Sequence, residues 1–165
     1  IATLPALDFS NKVDAAAVDY IEAETSKLIN DGKYVVSFGS EHTVTLGLVK
    51  AHLKKYPNLS VLQLDEHSDL RQSYNNNPYS HASVMARVHD LGVNIAQLGI
   101  RAQCIEESQL IKSSTLIETV YAHQVGSTDW HDRLLNHLGD TVYLTIDADG
   151  FDPSIMPAVG TAEPG

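Results

Sequence analysis

Histidine and aspartate residues are concentrated in three short segments that lie far apart in the sequence. These segments contain His42, Asp65, His67, Asp69, Asp147 and Asp149. In two of the segments these residues recur at every second position, and such residues point the same way in an extended chain. Carboxylates gathered in one crevice repel one another and raise one another's pKa unless cations neutralise them.

This set of side chains suits divalent metal ions. Oxygen and imidazole ligands without thiolate are typical of manganese, iron, zinc or magnesium sites. Two such ions about 3.5–4 Å apart can activate water for hydrolysis. The residue types and spacing therefore predict a two-metal hydrolytic centre if the fold brings the three segments together. A single Asp-x-His-x-Asp pattern is common in loops and carries little weight alone.

Strand-like and helix-like stretches alternate along the chain. Strands are predicted at residues 33–38, 59–64, 93–100, 118–121 and 141–146. Helices are predicted at residues 11–30, 44–56, 83–91 and 106–111, and a further helix capped by Ser127 reaches Leu138. Alternation of this kind favours a parallel sheet with helices on both faces. The three segments each follow a strand, so they meet at the carboxyl edge of the sheet, where such folds bind ligands.

Composition excludes some classes of protein. The formal net charge of −10 argues against nucleic-acid binding. One cysteine, Cys104, cannot form an internal disulfide or a thiolate metal site. The sequence has no apolar run of about 18 residues and no recognisable signal peptide, so we expect a cytoplasmic protein without membrane contact.

The three segments resemble the metal-binding signatures of the ureohydrolase family, which includes arginase, agmatinase and guanidinobutyrase. The resembling segments are 39–42 (GSEH), 65–69 (DEHSD) and 147–149 (DAD), and the similarity continues through Asp152-Pro153 and residues 157–165. The resemblance implies a three-layer α/β/α sandwich around a mainly parallel sheet, a cofactor of two Mn²⁺ ions, and a homo-oligomer, either a trimer or a hexamer.

The resemblance also implies roles for individual residues. His42 and Asp69 would bind one metal, His67 and Asp149 the other, and Asp65 and Asp147 would bridge both. Asp69 would also hold the attacking nucleophile and help to move its proton.

His81, in the segment 79–83 (YSHAS), matches the family histidine that moves protons near the substrate. On its own, His81 would be interpreted as an ordinary surface histidine. Three positions within these segments depart from the usual family pattern. Many members have glycine and aspartate in place of Ser40 and Glu41, and alanine in place of Glu66, and none of these positions is that of a ligand.

The run at residues 69–83 (DLRQSYNNNPYSHAS) looks closer to agmatinases than to arginases. The resemblance therefore implies hydrolysis of agmatine to putrescine and urea, a step of polyamine biosynthesis. The alternatives are another guanidino substrate, such as guanidinobutyrate or arginine, and a catalytically silent metal-binding relative. A dinuclear phosphatase is disfavoured because only Arg71 lies near the motifs to bind phosphate.

Residues 1–165 are expected to form a single catalytic domain that lacks the first family strand and the C-terminal part. The glutamate that orients the guanidinium in the family is expected beyond Gly165, so we expect little urea production from these residues alone.

Overall fold

A parallel sheet of four strands forms the centre of the molecule. The computed structural model describes residues 1–165. The strands are β1 (Leu59–Leu64), β2 (Ile95–Ile100), β3 (Ile117–Tyr121) and β4 (Thr141–Ile146). Their spatial order is β3-β2-β1-β4, and every neighbouring pair is parallel. The parallel sheet predicted from the sequence is confirmed, and all its carboxyl ends lie along one edge.

Five α-helices surround the sheet. They are α1 (Asp14–Asn30), α2 (Val44–Leu53), α3 (Val84–His89), α4 (Ile105–Ser113) and α5 (Trp130–His137). Single-turn 3₁₀ helices occur at His81–Ser83, Ala122–Gln124 and Ala148–Gly150. Helices α3, α4 and α5 each connect two successive parallel strands, as crossover connections must.

Apolar side chains on the two faces of the sheet make two separate cores, because neighbouring residues of a strand point to opposite faces. On one face, Val61 and Ile95 pack with residues of the helices, including Val18 and Met85. On the other face, a smaller cluster forms around Leu134 of α5. Helices therefore cover both faces, which is the expected three-layer α/β/α arrangement.

The predicted strand at residues 33–38 is wrong. No strand forms there, and Tyr34 and Phe38 are 95% and 98% exposed. Its aromatic and β-branched residues are suited to a strand, but a strand also needs a hydrogen-bonding partner. The edge strand β4 pairs only with β1.

Two helix starts also differ from the prediction. Helix α1 begins at Asp14 because Asn11 and Asp14 itself adopt positive φ values of 63° and 50°, which interrupt regular helix. Helix α5 begins at Trp130 with Asp129 at the N-cap, and the hydroxyl of Ser127 donates to Asp129 instead of capping the helix. None of the helices is long and apolar enough to cross a bilayer.

Candidate metal centre

The loops that follow β1, β2 and β4 are held together by backbone hydrogen bonds. Asp147 N donates to Leu64 O over 2.9 Å, and Asp65 N donates to Leu98 O over 3.2 Å. Beyond β2, Arg101 N donates to Glu66 O over 2.9 Å. These bonds extend the parallel ladder past the strand ends, so the second and third segments lie side by side.

A glycine allows the closest approach between these loops. A Cβ placed on Gly150 would lie 2.9 Å from Asp65 N and 3.0 Å from Asp65 Cα. Both contacts are with backbone, which cannot rotate away as a long side chain can. Glycine at this position therefore lets the loop after β4 lie directly on the start of the 65–69 segment.

Five of the six predicted ligands form two groups that share one carboxylate. The groups are His42, Asp65 and Asp69, and Asp65, His67 and Asp149. Within each group the candidate ligand atoms lie within 4.8 Å of one another. Asp147 belongs to neither group, but its Oδ2 lies 3.9 Å from His42 Nδ1. The fold therefore gathers the three segments at one edge of the sheet, as predicted, although the strand predicted before the first segment does not form.

His42 is buried with its ring held from both sides. Its Nδ1 lies 2.8 Å from Asp69 Oδ2 and 3.0 Å from Asp65 Oδ2. Its Nε2 lies 3.0 Å from the hydroxyl of Thr145, which in turn lies 3.0 Å from the hydroxyl of Thr45. Nδ1 is therefore the nitrogen that faces the carboxylates, and the two threonines fix the opposite side of the ring.

Asp65 has both carboxylate oxygens oriented by donors. Gln63 Nε2 donates to Oδ2 over 2.8 Å, and the backbone N of His67 donates to Oδ1 over 2.7 Å. Gln63 in turn accepts from Gln97, and Gln97 accepts from Thr119. A buried row of polar side chains thus crosses from β1 to β3 and fixes the shared carboxylate.

Asp69 adopts the left-handed conformation, with φ of 53°. Its carbonyl accepts from the backbone N of Met85 and Ala86, over 2.9 and 3.2 Å. Such backbone geometry in a residue other than glycine costs free energy and persists only where surrounding contacts hold it. The start of α3 thus fixes the position of Asp69.

His81 lies outside both groups. Its side chain is 59% exposed, and its Nδ1 lies 4.0 Å from Glu41 Oε2. Its ring meets Tyr74 edge-on, with the centroids 5.7 Å apart. The structure therefore places His81 in solvent contact and not among the clustered side chains.

The two clustered histidines are strong bases in the absence of metal. Burial lowers the pKa of His42, but hydrogen bonds to Asp65 and Asp69 outweigh this effect and raise the pKa to about 10. A hydrogen bond to Asp149 raises the pKa of His67 to about 9. Protonated imidazoles therefore offset part of the negative charge of the carboxylates at neutral pH.

The carboxylates carry an excess of negative charge. Burial raises the pKa of Asp69 to about 6. Burial, together with the charges of Asp65 and Asp149, also raises the pKa of Asp147. These groups resist ionisation because neighbouring charges and the loss of water both disfavour the charged form.

The donor set fits divalent cations. Asp149 Oδ1 is buried and has no hydrogen-bond partner, and a buried carboxylate oxygen without a partner is costly. Asp149 belongs to the group with Asp65 and His67. An ion at that group would satisfy this oxygen and neutralise the neighbouring carboxylates.

The sequence matches the model of the Arginase family along its whole length, residues 1–165. The chain belongs to the arginase family. Its family membership and its clustered ligand groups together indicate a metal-binding site.

Several named arginase-family proteins are similar to this chain. N(1)-aminopropylagmatine ureohydrolase of Synechocystis sp. is 37% identical over 171 residues, which cover 100% of this chain and 56% of that protein. The agmatinase of Bacillus anthracis is 36% identical over 159 residues, which cover 90% of this chain and 51% of that protein. The chain spans about half the length of these curated relatives.

Solved structures of the family share this architecture. The agmatine ureohydrolase of Thermoplasma volcanium superposes with a TM-score of 0.77 at 32% identity. The superposition covers 90% of this chain and 50% of that chain. The arginase-like fold expected from the sequence motifs is therefore confirmed.

Residues that support the ligands were missed by the sequence analysis. Gln63 and Thr145 each stand two residues before a predicted aspartate ligand, at buried positions of β1 and β4. A polar residue at a buried strand position needs a partner. A polar residue two positions before an aspartate ligand could therefore have been predicted to support the site, because residues i and i+2 of a strand point to the same face.

Proposed function

We propose that this chain carries the metal centre of a ureohydrolase that hydrolyses a linear guanidino compound to urea and an amine. Agmatine is the first candidate substrate. The observation that carries the proposal is the pair of ligand groups sharing Asp65 at the carboxyl edge of the sheet. The names of the similar proteins, agmatinase and N(1)-aminopropylagmatine ureohydrolase, support the choice of reaction.

The proposed cofactor is a pair of Mn²⁺ ions. His42 and Asp69 would hold one ion, and His67 and Asp149 the other. Asp65 and Asp147 would contribute to both. When bound, such ions neutralise the carboxylates and lower the pKa of a water molecule so that it becomes a nucleophile near neutral pH.

The chain's own residues would move the protons. Water adds to the guanidinium carbon, and the bond from that carbon to the substituted nitrogen breaks. Asp69, whose carboxylate lies in the cluster, would accept the first of the two protons that water gives up and pass it to the substituted nitrogen as the bond breaks. His81, with its exposed ring, would deliver a proton to the departing amine and regain one from the hydroxyl group that becomes the urea carbonyl. The products are then urea and a protonated amine, and no other reactant is needed.

N(1)-aminopropylagmatine is the second candidate substrate. The Synechocystis sp. relative that bears this substrate in its name aligns with 100% of this chain. The two substrates share the guanidinium and differ in the group at the far end. Guanidinobutyrate and arginine carry a carboxylate there, and a catalytically silent relative would turn over none of the four.

We also propose that residues 1–165 act as one catalytic domain in a cytoplasmic homo-oligomer, a trimer or a hexamer. Sedimentation of the complete product of the gene that encodes this chain would measure the oligomeric state.

A urea assay with four substrates tests the proposal. The complete gene product is stripped of metal, reloaded with Mn²⁺, and given agmatine, N(1)-aminopropylagmatine, guanidinobutyrate or arginine. We expect urea from agmatine or N(1)-aminopropylagmatine in preference to the two carboxylates. Asp149→Asn should abolish urea release, while Asp152→Asn, which changes a nearby aspartate outside both groups, should retain it. Release of no urea from any substrate by the Mn²⁺-loaded protein would overturn the proposal.

A further inference from the structure

The two clustered histidines are held differently on the side of the ring that faces away from the carboxylates. His42 presents Nδ1 to the carboxylates and places Nε2 3.0 Å from the hydroxyl of Thr145. His67 also presents Nδ1 to the carboxylates, 3.3 Å from Asp149 Oδ2. Its Nε2 instead lies 3.4 Å from Oε1 of Glu66. One ring is therefore backed by a neutral hydroxyl and the other by a carboxylate.

Glu66 is fully buried, with 0% exposure, and it is firmly held. Its Oε2 accepts the backbone N–H of Glu163 over 2.9 Å and lies 3.1 Å from Arg101 Nη2. Arg101 also donates to the carbonyls of Asp149 and Gly150, over 2.8 and 3.1 Å. The Glu66 carboxylate therefore has a fixed orientation relative to the loop that carries Asp149.

The other oxygen of the same carboxylate has no hydrogen-bond partner. Glu66 Oε1 is buried without a partner, and His67 Nε2 is the ring nitrogen that faces it. A buried carboxylate oxygen left unpaired is costly, and His67 Nε2, 3.4 Å away, is a potential donor just beyond the usual N–H···O distance. Pairing with Arg101 alone does not explain why Oε1 faces the ring.

We propose that Glu66 is a positioning residue for His67: its Oε1 accepts the Nε2 proton of His67 and thereby leaves Nδ1 to face Asp65 and Asp149. Histidines that bind metal commonly donate their other N–H to such an outer group, which fixes the tautomer and makes the ring a better ligand. The inference rests on the proposed metal centre. It adds that the two ions are held unequally, with the ion at His67 held more tightly because of Glu66.

Replacing Glu66 with glutamine separates a specific role toward His67 from a general effect of negative charge near the site. Glu66→Gln keeps the shape of the side chain and an acceptor for the Glu163 N–H. Its matched control is Glu41→Gln, which removes one negative charge immediately before the other clustered histidine, His42. Glu41 is exposed and accepts only the hydroxyl of Thr43 among its hydrogen-bond contacts.

The experiment measures Mn²⁺ affinity of the metal-free 165-residue chain by counting free Mn²⁺ with electron paramagnetic resonance. For Glu66→Gln we expect the affinity of one ion to fall by about 10–100-fold, the usual effect of losing such an outer partner. The affinity of the other ion should stay the same. Glu41→Gln should bind both ions as the unchanged chain does.

A second measurement reports the tautomer directly. With Zn²⁺ as a diamagnetic ion, the nitrogen resonances of His67 in the unchanged chain should show a proton on Nε2. In Glu66→Gln this proton should exchange with water faster. A purely structural role of Glu66 as the partner of Arg101 would leave the exchange of this proton unchanged.

Melting curves of the metal-free variants check that each variant folds. If Glu66→Gln does not fold, Glu66→Gln with Arg101→Gln removes both members of the ion pair and takes its place in both measurements. Equal loss of affinity for both ions, or no loss for either, would overturn the inference and leave the metal centre standing. Failure of the unchanged chain to bind any divalent ion would overturn the metal centre and this inference together.

Discussion

At the scale of single residues, Asp147 stands apart from the other proposed ligands. It lies outside both compact groups, and its Oδ2 reaches only to 3.9 Å from His42 Nδ1. Burial and the neighbouring carboxylates raise its pKa, so a cation between these groups would be favourable. A role for Asp147 in bridging two ions therefore makes a sharp test of the two-ion proposal.

Asp147→Asn should lose at least one of two bound ions, because the substitution removes a charge that balances the cations. Metal content of the desalted protein, measured by atomic emission, checks this. Asp152→Asn is the control, since Asp152 lies in the same loop but bonds the backbone N–H groups of Ser154 and Gly165 instead. Two ions retained by Asp147→Asn with unchanged affinity would rule out the bridging role.

The pKa values of His42 and His67 predict how the metal-free chain responds to pH. Both are raised from 6.5, to about 10 and about 9. Because the folded values lie above the unfolded one, the stabilisation they provide is complete below pH 6.5 and is lost as the pH rises through 9 and 10. The melting temperature of the metal-stripped chain should therefore fall between pH 6.5 and 10. A flat or rising melting temperature across this range would contradict the assignment.

Metal binding should have the opposite pH dependence to the stability of the metal-free chain. Both imidazoles must lose a proton to bind an ion, so binding near neutral pH should release protons and strengthen as the pH rises. Calorimetric titration with Mn²⁺ in two buffers of different ionisation enthalpy measures the release. Identical heats in the two buffers would show that no proton leaves.

His81→Asn tests proton transfer separately from metal binding. Urea release by the complete gene product should fall by about 10²–10⁴-fold, the usual contribution of a general acid or base. Metal content should not change, because the exposed ring of His81 lies outside both ligand groups. Loss of metal together with activity would make His81 a ligand and refute its proposed role.

At the scale of elements, the site depends on how closely two loops can approach. Gly150 lies on the backbone of Asp65, where an added Cβ would be 2.9 Å from the nitrogen. A residue with a side chain would force apart the loops that carry Asp65 and Asp149. The geometry of the group formed by Asp65, His67 and Asp149 thus depends on Gly150, which has no side chain to bind a ligand.

Gly150→Ala should lower the free energy of unfolding by about 1–3 kcal/mol, the usual cost of inserting a methyl group into a packed position. It should also weaken metal binding. Gly160→Ala is the matched control because no atom lies within 4 Å of its added Cβ. Urea denaturation and Mn²⁺ titration of both variants measure the effects. Equal behaviour of the two variants would show that the close approach is unimportant.

Some elements form as the sequence predicts and others do not. The alternating strands and helices predicted the parallel sheet, and that sheet places Asp65 and Asp147 at one edge. The pattern at residues 33–38 equally predicted a strand, but pairing depends on a neighbour that local sequence does not specify. For the same reason the contacts of Arg101 and Glu66 could not be predicted, since they join loops after different strands.

At the scale of the whole molecule, one part of the sheet is left uncovered. Strand β4 ends the sheet, and Val142, Leu144 and Ile146 on one of its faces are 42–52% exposed. Helix α5 packs on the same side of the sheet in a cluster with Ala96 and Val120, and Leu62 of β1 is partly buried against this cluster. The molecule therefore combines an open strand edge with an apolar face next to it.

Such an edge is a template for pairing with another chain, because its N–H and C=O groups lack partners. Strand β4 has the sequence TVYLTI, which has no charge and no proline to prevent pairing. The 165-residue chain should therefore associate as its concentration rises, with burial of the β4 face as the driving force.

Leu144→Lys should weaken this association, because pairing would bury an ammonium group. Leu135→Lys is the control: Leu135 is 68% exposed on α5, so it adds the same charge away from the edge. Sedimentation velocity over about a tenfold range of concentration compares the three chains. A monomer at every concentration, or equal weakening by both lysines, would show that β4 does not mediate association.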